Sequence, residues 1–383
     1  MLVKDVGQIP YHLENEFGIE STIIGYKEDL TYSYLDNQVK GLNIQFLPHK
    51  GSFKYFEISF IEYLFSNARK IDVLNLYHYQ PETFIYGLLY KVLNPSGLLY
   101  VKLDHDLRSL YLHKTLYYTS NKVAHFFFGF LKFFFKRVVN LVSIETKEGK
   151  ELIERYYPAL RNKIVLIPNG LDLEQVKKDF NFEKPNTERE NRIITIGRIG
   201  TKQKNTEMLM EAATKLKLRD WEIDIVGGYD DEFSFVIDEY FKANPHLKGR
   251  VNFYGNVVDR KKVYRMLERS RIFCLTSRWE SFGFVLIEAF LAGCYIISTE
   301  FASVKDIVPN ASVGKITPQK DLDAFISAIQ EVIDNSEGYV VEREDNIKIV
   351  QEVYNWKHIV KNLFVALEEK GLKKKLPHVI KND

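Results

Sequence analysis

Short apolar runs alternate along the chain with longer segments in which apolar residues recur every three or four positions. The short runs are typical of buried strands, and the longer segments are typical of helices that pack on them. Strands are predicted at 21–25, 42–47, 73–77, 97–103, 140–144, 163–167, 192–196, 221–228, 251–255, 271–276, 295–299 and 314–316. Because strands and helices alternate, the pattern predicts an α/β fold with parallel sheets covered on both faces.

One polar segment interrupts this alternation. Residues 180–191 combine charged residues with Asn and Pro, which is typical of an interdomain linker. A length of 383 residues also favours two domains. We therefore expect an N-terminal domain at 1–178 and a C-terminal domain at 190–356, with a terminal helix and basic tail at 357–383.

Composition narrows the class of protein. Hydrophobic residues make up 45% and charged residues 27%, as in soluble globular proteins. A net charge of +2 gives no reason to expect a nucleic-acid partner. Cys274 and Cys294 stand in apolar runs, which predicts core thiols in a reducing compartment. With neither a signal peptide nor an apolar run of about 20 residues, the expected location is cytoplasmic.

The segment 122–141 is unusually rich in Phe. One interpretation, which we favour at this point, is a buried helix with a single solvated stripe. The other is contact of 108–140 with the inner face of an anionic cell membrane, with basic residues at the headgroups. The polar stripe consists of Lys122, His125, Gly129, Lys132, Lys136 and Asn140, spaced three or four residues apart.

Polar loops follow three predicted strands of the second half. The first loop carries Arg198 and Lys204, the second carries Gly227, and the third carries Glu280 ahead of a helix. Two cations and a helix N-terminus suit a diphosphate and can stabilise it as a leaving group without a metal ion. Carboxylates repel phosphate, so Glu280 and Glu288 suit sugar hydroxyls. The inferred ligand is a nucleotide diphosphate that bears a hydroxyl-rich group.

A metal site is less strongly indicated than the diphosphate site. Asp104 and Asp106 have the spacing of an Asp-x-Asp motif and are the one candidate for Mg²⁺. We expect no metal, because two cations and a helix N-terminus can neutralise the diphosphate. We expect no other cofactor, because the nucleotide sugar would be a substrate.

These loops resemble the retaining, nucleotide-sugar-dependent glycosyltransferases of family 4. The resemblance runs from about residue 73 to the C-terminus and includes that family's Glu-x7-Glu motif. It implies the GT-B fold, in which two Rossmann-like domains face each other across a cleft and the C-terminal helix crosses back to the first domain. The matching residues are His105-Asp106, the turn 168–172, Gly197-Arg198 with Lys204, Glu280 with Glu288, and Trp356.

The resemblance also implies residue roles. Glu280 would bind hydroxyls of the donor sugar, Glu288 the ribose, and Arg198 and Lys204 the diphosphate, while His105 would face the transferred sugar. The catalytic set would be Glu280, Arg198, Lys204 and His105. The other donor-binding residues would be Gly227, Tyr254, Gly255, Val257, Ser281, Phe282, Gly283 and Phe284.

The implied reaction is retaining transfer of a hexose or N-acetylhexosamine. The donor would be a nucleotide sugar, with UDP favoured and GDP or ADP open. The acceptor would be a glycan, a lipid-linked acceptor or a protein-linked acceptor. The product would be a bacterial surface glycan, a lipid-linked oligosaccharide or a glycoprotein. A non-catalytic partner subunit that binds glycan or nucleotide sugar is the alternative, because the family's first strand and Gly-rich loop have no counterpart here. A nicotinamide dehydrogenase is disfavoured, since no G-x-G-x-x-G follows a strand.

Overall fold

The structure, a computed structural model, describes residues 4–26, 39–53, 56–104, 106–115, 120–180, 189–341 and 343–372. The chain divides into two compact units. The first comprises Met1–Asp172 and Asn355–Asp383, and the second comprises Leu173–Tyr354. Most of the expected linker, 181–188, lies outside the described residues.

The first unit is centred on a four-stranded parallel sheet whose strands follow the order of the sequence from residue 73 to residue 166. Its strand Leu98–Leu103 is buried along its whole length, as the continuous apolar run predicts. The described strands of this unit are Thr22–Tyr26 (β1), Asn43–Leu47 (β2), Ser52–Phe53 (β3), Phe56–Glu57 (β4), Val73–Tyr77 (β5), Leu98–Leu103 (β6), Leu141–Ile144 (β7) and Ile164–Leu166 (β8). Its α-helices are Asp5–Phe17 (α1), Ile58–Asn67 (α2), Pro81–Leu93 (α3), Arg108–His113 (α4), Lys122–Val138 (α5), Lys147–Tyr156 (α6) and, from the C-terminus, Trp356–Glu369 (α15).

The start of the first unit differs from the expectation. Strands β1 and β2 exist, but within the described residues they pair with each other in a separate parallel sheet. Helix α2 begins at Ile58, after Ser52–Phe53 and Phe56–Glu57, which pair as short antiparallel strands.

The terminal helix α15 packs against α1 of the first unit. Phe364 stacks on Phe17 with ring centroids 4.4 Å apart, and Lys357 lies 3.0 Å from Glu16. Asn355 caps the helix by accepting a hydrogen bond from the Lys357 N–H. The expected return of the C-terminal helix to the first domain is therefore confirmed.

The second unit is a doubly wound domain with one six-stranded parallel sheet. Its described strands are Glu190–Ile196 (β9), Glu222–Val226 (β10), Val251–Phe253 (β11), Ser270–Leu275 (β12), Tyr295–Thr299 (β13) and Gly314–Thr317 (β14). Its α-helices are Leu173–Asp179 (α7), Thr206–Lys215 (α8), Asp231–Ala243 (α9), Arg260–Arg269 (α10), Phe284–Ala292 (α11), Ala302–Ile307 (α12), Leu322–Asp334 (α13) and Arg343–Val353 (α14).

The strand order β11-β10-β9-β12-β13-β14 sets the position of the site. The chain winds outward from β9 in one direction and then from β12 in the other, so the order reverses between these two neighbouring strands. Ligands of open α/β sheets bind beyond the carboxyl ends of the strands at such a switch point. The loops after β9 and β12 therefore lie where a ligand of this sheet is expected to bind.

The core of the second unit contains both cysteines. Cys274 on β12 and Cys294 ahead of β13 are fully buried and not disulfide-bonded, which confirms that they are core residues. Burial raises the pKa of both thiols. Helix α11 is buried from Leu286 to Ala292, in agreement with its almost uninterrupted apolar sequence.

Helix α5 contradicts the favoured interpretation of the Phe-rich segment. Phe128 and Phe135 are buried, but Phe126 is 81% exposed and Phe130 is 60% exposed. The helix carries Phe on opposite faces, and within the described residues neighbouring elements cover only one of these faces. The prediction of a buried helix with one wet stripe is therefore wrong. No described helix is both long enough and apolar enough to cross a membrane.

Replacement of Gly227 should destabilise the second unit. Its φ is +149°, and a Cβ there would lie 1.6 Å from the Gly197 carbonyl oxygen, a backbone atom that cannot easily move. We expect Gly227→Ala to lower the free energy of unfolding in urea by about 2 kcal/mol or more.

Gly129→Ala is the matched control, because its Cβ would meet nothing within 4 Å on helix α5. It should be neutral or stabilising by about 0.5–1 kcal/mol. Equal unfolding midpoints for the two variants would show that the close approach at Gly227 is not real.

Candidate functional site

The loops at the switch point are joined to each other by hydrogen bonds. The Arg278 N–H donates to the Gln203 carbonyl at 2.8 Å, and Thr276 Oγ1 donates to the Lys204 carbonyl at 2.9 Å. The Arg278 guanidinium also donates to Asn205 Oδ1 at 2.6 Å. Because side chains and backbone both contribute, the two loops form one ordered surface.

Glu280 is the centre of this surface. Its Oε1 lies 2.5 Å from Lys204 Nζ and accepts a hydrogen bond from Ser277 Oγ at 2.6 Å. Its Oε2 accepts from Gln203 Nε2 at 3.3 Å. The Glu280 side chain is only 8% exposed, so these donors replace the water that a buried carboxylate would otherwise require. The two sequence-predicted residues Lys204 and Glu280 are thus in direct contact.

Arg198 joins the same network through a residue that the sequence did not single out. Arg198 Nη2 donates to Gln203 Oε1 at 2.7 Å, while Gln203 Nε2 faces Glu280. The Arg198 side chain is otherwise exposed to solvent. Gln203 therefore links Arg198 to Glu280, the carboxylate that also contacts Lys204.

Helix α11 begins beside Glu280 without a side-chain cap. Its N-cap is Gly283, whose φ of +81° favours glycine. The buried Ser303 Oγ donates to the Phe282 carbonyl, and the ring of Phe282 packs edge-to-face on Phe284 at 5.9 Å. Ser281 is half-buried in the same turn. A helix start that is uncapped by a side chain and held in place suits an anion.

Glycines bring the ends of the neighbouring strands close together. The Gly197 N–H donates to the Val226 carbonyl at 3.0 Å, and the Gly227 N–H donates to the Gly255 carbonyl at 2.9 Å. Gly255 has a φ of +63°. The predicted residues Tyr254 and Val257 flank it and are half-buried. Gly227, Tyr254, Gly255 and Val257 therefore belong to the same strand edge as Arg198.

Glu288 has a cationic partner that the sequence did not predict. Its Oε1 forms an ion pair with Arg260 Nη2, and the Glu288 side chain is 10% exposed. The Arg260 guanidinium also lies 5.0 Å from the ring centroid of Tyr264. Burial, reinforced by the Glu288 charge, raises the pKa of Tyr264. Arg260 starts helix α10, a solvent-facing basic run that gave no signal of a carboxylate partner.

The first-unit candidates have a different outcome. His105 lies outside the described residues, so its role stays a prediction. Asp106 is engaged by Arg108, whose Nε lies 2.8 Å from Asp106 Oδ2. Among the described residues, no group of three or more His, Cys, Asp or Glu side chains is placed to hold a metal ion.

A buried polar group at the same end of the first-unit sheet was not predicted. Lys102 on β6 is fully buried, forms an ion pair with Glu145 and lies 3.8 Å from Asp5 Oδ2. Burial raises the pKa of Glu145 to about 8, against the nearby Lys102 charge that lowers it. No pattern in the sequence indicated this group, because Lys102 stands inside the apolar run 97–103.

The switch-point surface thus combines the two cations Arg198 and Lys204 with the buried carboxylate of Glu280, and Glu288 follows on helix α11. The family model of glycosyl transferases group 1 matches residues 176–373, just over half of the chain. The chain belongs to this family, which removes the dehydrogenase alternative.

Two curated relatives have a similar sequence. The phosphatidyl-myo-inositol mannosyltransferase of Mycolicibacterium smegmatis is 25% identical over 62% of this chain and 59% of its own. The UDP-Gal:alpha-D-GlcNAc-diphosphoundecaprenol alpha-1,3-galactosyltransferase of Escherichia coli is 26% identical over 65% of this chain and 66% of its own. The chain thus spans about three fifths of the length of these relatives.

Solved structures resemble nearly the whole chain. Anabaena Alr3699/HepE in complex with UDP has a TM-score of 0.71 at 13% identity, over 95% of this chain and 96% of that chain. Sucrose-phosphate synthase from Thermosynechococcus elongatus has a TM-score of 0.68 at 18% identity, over 95% and 92% of the two chains. These likenesses confirm the expected GT-B fold.

Loss of Arg260 should expose the cost of burying Glu288. Arg260→Met leaves the Glu288 carboxylate without its cation, and we expect the free energy of unfolding to fall by about 1–2 kcal/mol, because Arg260 itself is half exposed to screening solvent. In the Glu288→Gln background, the same Arg260→Met change should cost much less. Urea titrations of the four proteins measure this coupling.

Arg265→Met provides the comparison, since Arg265 is on the same helix, 68% exposed and 3.9 Å from its carboxylate partner. It should change stability by less than about 0.5 kcal/mol. A coupling of zero between Arg260 and Glu288 would contradict the ion pair.

Proposed function

We propose that the protein is a retaining glycosyltransferase that uses a nucleotide diphosphate sugar, with UDP favoured, and needs no metal ion. The observation that carries this proposal is the contact between Lys204 and Glu280 beside the start of helix α11. A cation and a carboxylate so close together are within reach of one ligand, which supports phosphate binding by Lys204 and hydroxyl binding by Glu280.

The diphosphate would lie between the loop after β9 and the N-terminus of α11. Lys204 supplies a point charge, Arg198 a planar fork, and the first turn of α11 its N–H groups and positive dipole end. As the bond to the sugar breaks, negative charge grows on the diphosphate. These groups would stabilise that charge in the transition state.

The two carboxylates would bind hydroxyls on opposite sides of the diphosphate. Glu280 accepts from Lys204, Ser277 and Gln203, which leaves acceptor capacity on a carboxylate with about four lone-pair sites. Hydroxyl groups of the donor sugar would donate hydrogen bonds to the remaining lone pairs of Glu280. Glu288 would bind the ribose, oriented by its Oε1 contact with Arg260. Residues 254–257 would border the base, and His105 would face the transferred sugar.

The acceptor is a glycan, lipid-linked or protein-linked, and the protein works in the cytoplasm. The names of two relatives support a lipid-linked acceptor, since they specify phosphatidyl-myo-inositol and diphosphoundecaprenol.

UDP is supported by the HepE complexes with UDP and with UDP-glucose. Mannose, galactose and glucose donors are all represented among these proteins, so the sugar stays open between hexose and N-acetylhexosamine.

A donor panel tests the proposal. The protein is titrated with UDP-glucose, UDP-galactose, UDP-N-acetylglucosamine, GDP-mannose and ADP-glucose, and both binding and nucleotide release are followed. We expect binding and slow release with at least one UDP-sugar. Binding with no release in the presence of lipid-linked or glycan acceptors would favour the non-catalytic subunit, and no binding at all would overturn the proposal.

Variants at the two carboxylates should separate their roles. Glu288→Gln should weaken UDP binding by ~10-fold, because it weakens the acceptor for ribose hydroxyls. Glu280→Gln should lower the rate of release at saturating donor by at least ~10-fold, with a smaller effect on UDP affinity. Calorimetry with UDP and rate measurements distinguish the two.

Glu211→Gln is the control, because Glu211 is 58% exposed on helix α8 and pairs only with Lys215 in the same helix. It should match the wild type in both assays. If Glu280→Gln and Glu288→Gln also match it, the assignment of these residues is wrong.

A further inference from the structure

Helix α5 presents an apolar face to solvent. The exposed side chains recur every three or four residues over about three turns, so they share one side of the helix. They range from 41% to 81% exposed. We refer to them as the Phe face, which consists of Val123, Phe126, Phe127, Phe130, Phe133 and Phe134.

The opposite side of α5 fixes the helix to the first unit. Phe128 and Phe135 are buried, and Phe135 packs against Phe84 with ring centroids 5.2 Å apart. Helix α3 approaches so closely at Gly87 that a Cβ there would lie 2.6 Å from the Phe135 ring. The Phe face therefore cannot turn inward without breaking this packing.

Both ends of α5 are also held. Asn121 Oδ1 accepts hydrogen bonds from the N–H groups of Val123 and Ala124 at 3.0 and 3.1 Å. At the other end, Lys163 Nζ donates to the carbonyls of Arg137 and Val139 at 2.8 and 2.7 Å. A capped, packed helix presents its outer side chains in a fixed arrangement.

The chain segment that carries the Phe face has charged residues of one sign. Residues 107–144 contain six Lys and Arg and no Asp or Glu. By the 3.6-residue period of the helix, Lys122 and Lys136 lie on the side of α5 that borders one edge of the Phe face, whereas Lys132 is half-buried farther round the helix. On the face itself, the Arg137 guanidinium covers the ring of Phe133 at 3.6 Å from its centroid.

We propose that the Phe face binds the surface of a membrane containing anionic phospholipids. The rings would enter the boundary between headgroups and acyl chains, and the basic edge would meet lipid phosphates. Membrane binding through the Phe face does not depend on the proposed enzymatic function. A contiguous exposed apolar surface of this kind marks an interaction site in soluble domains.

A membrane suits the surface better than a second copy of the chain. Two copies paired through their Phe faces would bring two acid-free, basic segments together, and like charges oppose such pairing. An anionic bilayer supplies the complementary charge and needs no matched surface. Basic charge at the edge and aromatic rings at the centre are the composition of helices that lie in a membrane interface.

Vesicle binding by the full chain tests the proposal. Wild-type protein should sediment with phosphatidylcholine vesicles containing 30% phosphatidylglycerol and much less with pure phosphatidylcholine. Phe126→Ser with Phe130→Ser should lower the partition coefficient by at least ~10-fold. Lys122→Gln with Lys136→Gln should lower binding to the anionic vesicles by ~10-fold and leave the weak binding to neutral vesicles unchanged.

Phe65→Ser with Phe235→Ser is the matched control, since these rings are 65% and 71% exposed away from α5. This variant should bind as the wild type does. Circular dichroism melting should be unchanged in both Phe variants, because the altered side chains are 60% or more exposed. Equal binding by the two Phe variants would overturn the proposal, as would no wild-type binding, or a dimer in sedimentation velocity that only Phe126→Ser with Phe130→Ser dissociates.

Discussion

The contact between Lys204 and Glu280 is the interaction on which the candidate site depends. Glu280 is almost completely buried, and a carboxylate in that position requires a cation and hydrogen-bond donors. Lys204 provides the charge from the loop after β9, while Glu280 follows β12. The strand order makes these loops neighbours, so one ion pair both stabilises a buried charge and joins the two sides of the switch point.

The two proposals concern separate surfaces, and they agree in what they imply for the acceptor. The donor would bind to the second unit, whereas the Phe face belongs to the first. A glycosyltransferase held on an anionic membrane would meet lipid-linked acceptors at high local concentration. The lipids in the names of two relatives are of this kind.

Periodicity and motif spacing predicted most of the fold because they report local preferences. The strands of the four- and six-stranded parallel sheets and the buried Cys274 and Cys294 follow from them. The return of the last helix was instead implied by the family resemblance. Partners distant in sequence were not predictable: Arg260 is 28 residues before Glu288, and nothing in its own segment indicates the contact. The prediction that the Phe-rich helix is buried was wrong for another reason. Apolar residues on both sides of a helix predict burial unless one side has no neighbour, and a single sequence does not show which side that is.

The most direct test compares the affinities of UDP and UMP by calorimetry in the wild type and in Lys204→Ala. The two nucleotides share the base and ribose and differ in the β-phosphate that Lys204 is proposed to bind. The account predicts that the wild type prefers UDP by at least ~10-fold and that Lys204→Ala loses most of this preference while it still binds UMP. An unchanged preference in Lys204→Ala, or no preference in the wild type, would contradict the assignment of the diphosphate to the switch point.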